Sequence, residues 1–106
     1  MSTQYYVAVI VYQSTSASPN YTPLYEECIT VVKADTAAEA KSKVEDLAKH
    51  RSTQYQNAAG QEIAWSLYQI IDISPMLADS FDAVTEIYAR HFRDIEAYGQ
   101  FETLLK

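Results

Sequence analysis

Glycine occurs only at Gly60 and Gly99 in this chain of 106 residues. Loops that cradle phosphate groups need several glycines, so that the backbone can close around the anion, and no such loop can be built here. Cysteine is scarcer still: Cys28 stands alone, which excludes an intramolecular disulfide and a cysteine-based zinc site. Placed mid-strand among apolar residues, it reads as a small buried filler rather than a reactive thiol. The two histidines, His50 and His91, form no HxH or HExxH pattern, so neither a metal site nor a cofactor is expected. Basic residues are outnumbered, eight against fourteen acids, for a formal charge of -6. Phosphate backbones and anionic membranes are bound through clustered Lys and Arg, and the few cations here are scattered. No apolar run approaches the roughly 20 residues of a membrane span, and the first residues carry no basic leader pattern. A soluble, cytoplasmic protein that binds neither nucleic acid nor membrane is the expectation.

What the chain has in abundance is tyrosine, nine residues in all, together with β-branched side chains. Residues 5–13 (YYVAVIVYQ) are apolar on both alternating faces, which predicts a central, well-covered strand. The Ser/Thr/Pro/Asn-rich stretch that follows (STSASPNYTP) is a long hairpin connection and a candidate binding edge. A second strand runs from Leu24 to about Lys33. Thr36-Ala-Ala-Glu39 fits a capping box, and Ala37, Ala40, Val44, Leu47 and Ala48 recur at helical spacing behind it. The charged residues between them, including an expected Glu45–Lys49 pair, form a solvated face, and His50 suits the carbonyl end of the helix. Residues 50–60 either extend this helix or return as a short strand at 52–56 that turns at 57–60. Residues 61–73 (QEIAWSLYQIIDI) read as a strand with Ile63, Trp65, Leu67 and Ile71 on one face and Ala64, Tyr68 and Ile70 on the other, ended by Pro75. Residues 83–92 (AVTEIYARHF) read as a fourth strand. The tail carries Ile95, Tyr98, Phe101, Leu104 and Leu105 in a helical arrangement weakened by Gly99. The expected fold is therefore one α+β domain over residues 1–106. A mainly antiparallel four-stranded sheet, in the order β-β-α-β-β-α, carries one amphipathic helix on a face. A tail helix at about 94–105 packs on the second face, or a second subunit does.

Glu26 and Glu27 are neighbours in an extended strand, so they point to opposite faces. A carboxylate on a covered face needs a partner. Glu86, Tyr88 and Arg90 share a face if residues 83–92 form a strand, and Arg90 offers a planar fork suited to a carboxylate. The expected cluster joins Glu26 or Glu27 to Arg90, flanked by Tyr88 and Trp65, with Tyr25 as a further donor. A shared-proton dyad of the two glutamates is excluded locally, and no catalytic residue is assigned. Tyr5, Tyr6, Tyr12, Tyr68 and Tyr88 are expected at strand positions with buried rings. Tyr21 and Tyr55 are expected in loops, as aromatic residues of the kind that interface centres contain.

Four stretches, LYEECITVVKA at 24–34, TAAEAKSKVE at 36–45, YQNAAGQEIAWSLYQIIDI at 55–73 and TEIYARHF at 85–92, resemble a bacterial family of small uncharacterised proteins, the domain-of-unknown-function family numbered 4288. The resemblance implies family positions at Tyr25, Glu26, Glu27, Tyr55, Asn57, Gly60, Trp65, Asp72, Glu86, Tyr88 and Arg90. The chain departs from the pattern at Gln61-Glu62 and at Val84, where a glycine is more usual. The family implies no activity. Composition and pattern favour a non-enzymatic module that binds a protein partner or forms a homodimer. The alternatives are a small-ligand or weakly hydrolytic site on Glu27, Trp65, Tyr88 and Arg90, and an immunity-type inhibitor whose charge meets a basic protein.

Overall fold

The computed structural model describes residues 4–102 and 104. Four strands and two helices follow in the order β1 (Gln4–Thr15), β2 (Tyr25–Ala34), α1 (Ala37–His50), β3 (Thr53–Gln56), β4 (Glu62–Pro75) and α2 (Ile95–Phe101). The sheet is antiparallel throughout, with spatial order β2-β1-β4-β3. The α+β class and the β-β-α-β-β-α order are those expected, and β1 is central. The membership differs at one place. The short return at residues 53–56 is a strand, β3, whereas residues 83–92, expected as the last strand, form none.

The even residues of β1 build the first face. Tyr6, Ala8, Ile10 and Tyr12 join Val32 and Ala34 of β2 beneath Ala40, Val44 and Ala48 of α1, all buried. Burial of these side chains is what holds α1, because a 14-residue helix of this length is marginal by itself in water. Its start is fixed locally: the Thr36 hydroxyl accepts the Glu39 backbone N–H at 3.1 Å. Glu39 does not close the capping box on Thr36. It reaches one residue further, to the Asp35 N–H at 3.4 Å, and pairs with Lys43 at 2.9 Å. Along the helix the ion pairs are Glu39–Lys43 and Asp46–His50, rather than Glu45–Lys49. His50 does meet the carbonyl end, with Nδ1 2.8 Å from the Asp46 carbonyl oxygen.

Two register shifts in the β1–β4 pairing, between Val9 and Ile10 and between Val11 and Tyr12, leave Ile71 and Tyr68 unpaired. Each such bulge inserts one residue and re-aims those beyond it. Ile70 and Ile73 therefore join Trp65 and Leu67 against the helix-side core, while Tyr68 and Ile71 are exposed. A strict two-residue alternation had placed Ile71 with Trp65 and Ile70 opposite.

The odd residues of β1 face the other way, and Val7 and Val9 are fully buried there. Their cover is a strap of irregular chain. The Met76 N–H bonds the Tyr5 carbonyl at 2.8 Å, Phe81 meets the Tyr5 ring edge-on at 6.0 Å, and the Leu77 N–H bonds the Ile87 carbonyl at 3.2 Å. Segment 83–92 is thus laid across a sheet face instead of being paired within it, which explains an apolar, aromatic composition without a strand. Beyond it, α2 buries none of its residues. The radius of gyration, 17.0 Å, exceeds the roughly 13 Å of a compact chain of this length, as a projecting tail requires. Leu105, expected in the tail helix, lies outside the described residues.

Both loops near the hairpin ends are tied down. Ser14, fully buried, pairs its hydroxyl with Tyr21 at 2.5 Å and accepts the Leu24 N–H at 2.8 Å, which closes the connection expected to be a binding edge. Asn57 builds the β3–β4 turn by accepting the N–H groups of Ala59 and Gln61 at 3.0 and 2.9 Å. Gly60 there has φ 79°, a left-handed conformation that favours glycine.

Candidate functional site

The two glutamates separate as strand geometry demands, and each acquires different company. Glu26 lies on the helix side, where Arg51 Nη2 donates to its Oε1 at 2.7 Å. Arg51 also donates from Nη1 to the Cys28 sulfur at 3.0 Å, and the Cys28 thiol donates to Glu26 at 3.2 Å. The guanidinium lies 4.2 Å from the centre of the Tyr12 ring, a cation–π arrangement. The Cys28 thiol, with the Arg51 guanidinium behind it, holds the Glu26 carboxyl below the usual carboxylate range. Beside this group a cleft of about 240 Å³ is lined by Tyr12, Glu26, Arg51, Thr53, Tyr55 and Trp65. Trp65 Nε1 donates to the Tyr55 hydroxyl at 3.3 Å. The partner of Glu26 is therefore Arg51 and not Arg90. Cys28 is only partly buried, as a member of a polar group and not as a filler.

Arg51 was legible in principle. A helix rising about 1.5 Å per residue and returning from the end of β2 over 14 residues covers roughly 20 Å. The distance back along β2 from Ala34 to Glu26 is comparable at about 3.3 Å per residue. The residue after the helix must then arrive beside the start of β2.

Glu27 faces the other side. There a cleft of about 800 Å³ opens between the sheet and the tail, with Val9 and Ile29 on its floor, Glu27, Tyr88 and Arg90 on its polar side, and Phe92, Tyr98 and Phe101 opposite. The Phe92 and Tyr98 rings stack at 4.8 Å. Tyr88 donates to Asp72 Oδ2 at 2.7 Å, and Ser74 donates to the same oxygen at 2.7 Å. These two hydroxyls, Ser74 first, hold the Asp72 carboxyl below its ordinary range, while burial and then the Asp72 carboxylate push the Tyr88 hydroxyl up. Among the described residues Arg90 forms no ion pair.

The expected ten residues thus divide. Glu26, Tyr55 and Trp65 come together on the helix side. Glu27, Asp72, Tyr88 and Arg90 come together on the strap side, where Tyr25 makes an edge-on contact with Tyr68 at 5.4 Å. Trp65 stands on the opposite face of the sheet from Glu27, Tyr88 and Arg90, so no single pocket holds all four. Asn57 is committed to its turn, and Glu86 is exposed outside both clefts. Tyr55 belongs to a strand and not a loop, and Tyr68 is exposed rather than buried. Among the described residues no group of three or more His, Cys, Asp or Glu side chains could hold a metal ion. No helix among them is long and apolar enough to cross a membrane.

No curated protein and no solved structure matches the chain. A family model matches residues 5–89, a span that takes in the sheet except for Gln4, α1, and the strap as far as Ala89. On that match the chain belongs to the family described as Domain of unknown function (DUF4288).

Proposed function

We propose that this protein is a non-enzymatic binding module whose working surface is the strap side of its sheet, engaged by another protein chain. The observation that carries the reading is the contrast between the two faces. On the helix side the apolar residues of β1 are sealed. On the other, Tyr25, Ile29, Tyr68, Phe92, Ile95 and Phe101 are all more than half exposed. Isolated apolar residues on a surface are ordinary, but Ile29, Phe92 and Phe101 line one cleft together with Glu27, Arg90 and Arg93, and grouped apolar residues rimmed by charge are what interaction sites present. The tail points the same way, since α2 has no buried residue.

Sedimentation of the purified chain tests this. The expected mass lies above that of the monomer, or a mixed complex forms with a partner protein, and the paired substitutions Ile95→Asp and Phe101→Asp abolish the association without lowering the melting temperature. A chain that stays monomeric at every concentration and binds no protein overturns the reading. One observation favours a second reading. The 800 Å³ cleft falls within the range of small-ligand sites, and among the described residues its Arg90 guanidinium forms no ion pair. An apolar ligand with one anionic group would suit it, and Arg90→Ala would then abolish binding while the fold persists.

A further inference from the structure

Among the described residues the outer edge of β2 has no partner strand, the sheet order being β2-β1-β4-β3, and it is ten residues long. An edge of this length is a template for another strand. Which backbone groups it offers can be read from three hydrogen bonds. The Ser14 N–H bonds the Leu24 carbonyl, so even residues of β1 face β2, and the Tyr5 carbonyl takes the Met76 N–H on the other side. Even residues of β2 pair with even residues of β1, which leaves the N–H and C=O groups of the odd residues pointing outward. Independently, the Lys33 carbonyl accepts Lys43 Nζ at 2.8 Å, as an outward carbonyl can.

We infer that the β2 edge is a homodimer seam, in which two copies pair antiparallel about a two-fold axis through Thr30. This deepens the proposed binding role and rests on it, naming a second copy of the chain as the partner. The register is decided by the side chains. Outward groups must meet outward groups, so odd residues pair with odd. Centring the axis on Thr30 sets Ile29 opposite Val31 and Glu27 opposite Lys33, apolar against apolar and anion against cation, each twice by symmetry. Moving the axis to Ile29 sets Glu27 against Val31, moving it to Val31 sets Ile29 against Lys33, and moving it to Cys28 sets Glu27 against Ile29. Each of those places a charge on an apolar neighbour. Only the Thr30 register satisfies every pair on this face, and cross-strand pairs are what fix register in a sheet.

Ile29 and Val31 are 59% and 39% exposed in the single chain, and the seam removes part of that surface from water. Lys43, already on the Lys33 carbonyl, marks where the backbone ladder stops and the Glu27–Lys33 side-chain pairs begin. The ladder alone covers less than the about 800 Å² per partner of a standard interface. The tail supplies more. Because Ala97, Tyr98 and Phe101 of α2 line the cleft over Glu27 and Ile29, the same seam brings the exposed Phe101 of each copy toward the axis.

The test uses the full chain carrying Cys28→Ser and Thr30→Cys. At the axis the two Cα atoms face each other as a non-hydrogen-bonded pair, about 4.5 Å apart, inside the range a disulfide spans. Mild oxidation is expected to convert this variant to a covalent dimer, while the parent chain, whose Cys28 faces Val32 of the other copy, stays uncrosslinked. In parallel, Glu27→Lys and Lys33→Glu each oppose like charges at both ends and should weaken the dimer roughly tenfold, and the double reversal should restore it. A dimer that neither crosslinks at position 30 nor responds to the charge reversals overturns the seam and leaves the binding role standing. A chain that remains monomeric but binds a different protein does the same. A chain that does neither overturns both.

Discussion

Replacing Tyr88 by phenylalanine removes one hydroxyl and leaves the ring that helps to line the strap-side cleft. In the native chain that hydroxyl donates to Asp72 Oδ2 at 2.7 Å and so fastens the strap to β4. A hydrogen bond to a charged group contributes about 1.5–3 kcal/mol when shielded. Both residues are half-buried, so screening by solvent reduces the expected loss to about 1 kcal/mol, or about 4 °C in melting temperature for a domain of this size. The pH dependence is the sharper signature. Ser74 and Tyr88 hold Asp72 below its ordinary value, so its stabilisation is present above the unfolded value of about 3.9 and fades as pH falls through the lower, folded one. Burial and Asp72 hold Tyr88 above its ordinary value, so that contribution is complete below about pH 10 and fades as pH rises toward the folded value. The native protein should therefore exceed Tyr88→Phe by a plateau between those limits, with the two converging in acid and in alkali. Urea unfolding followed by the fluorescence of Trp65, the single tryptophan, measures this. A difference that is constant across pH, or absent at neutrality, would refute the tie between strap and sheet.

Other perturbations probe the rest of the molecule. Ile10→Ala, at a fully buried position under α1, should cost about 3 kcal/mol by thermal or urea unfolding. Thr36→Ala removes the acceptor for the Glu39 N–H and should cost about 1 kcal/mol, seen in the same melts. Arg51→Met should lower stability by no more than about 1 kcal/mol, because both members of its pair with Glu26 are nearly half exposed, and the loss should shrink at high salt. Arg90→Ala, in contrast, should change stability by less than about 0.5 kcal/mol; a larger drop in a urea titration would mean that this arginine is structural.

Much of the fold could be read because its signals are local. The alternation of residues 5–13, the capping pattern at Thr36 and the Asn-Ala-Ala-Gly turn each depend on a few neighbouring residues. Three features depend instead on the rest of the molecule. A segment such as AVTEIYARHF has the composition of a covered strand, and covering a sheet face demands the same residues as pairing within it. The bulges at Tyr68 and Ile71 come from the fit of β4 against β1 and leave no mark in the order of residues. The partner of Glu26 required knowing where α1 ends. Opposite pointing of the two glutamates was legible. Arg90 does share a cleft with Glu27 and Tyr88, but it arrives there on an irregular strap and not on a strand, and Trp65 falls on the opposite face of the sheet.

At the far side of the sheet β3 is only four residues long, Thr53–Gln56, and its sequence is TQYQ. Any strand-to-strand growth that used β2 would meet at each outer margin a brief, polar border offering little to extend upon. An assembly begun through β2 therefore ends with two chains, closed by symmetry, instead of running on into a fibre.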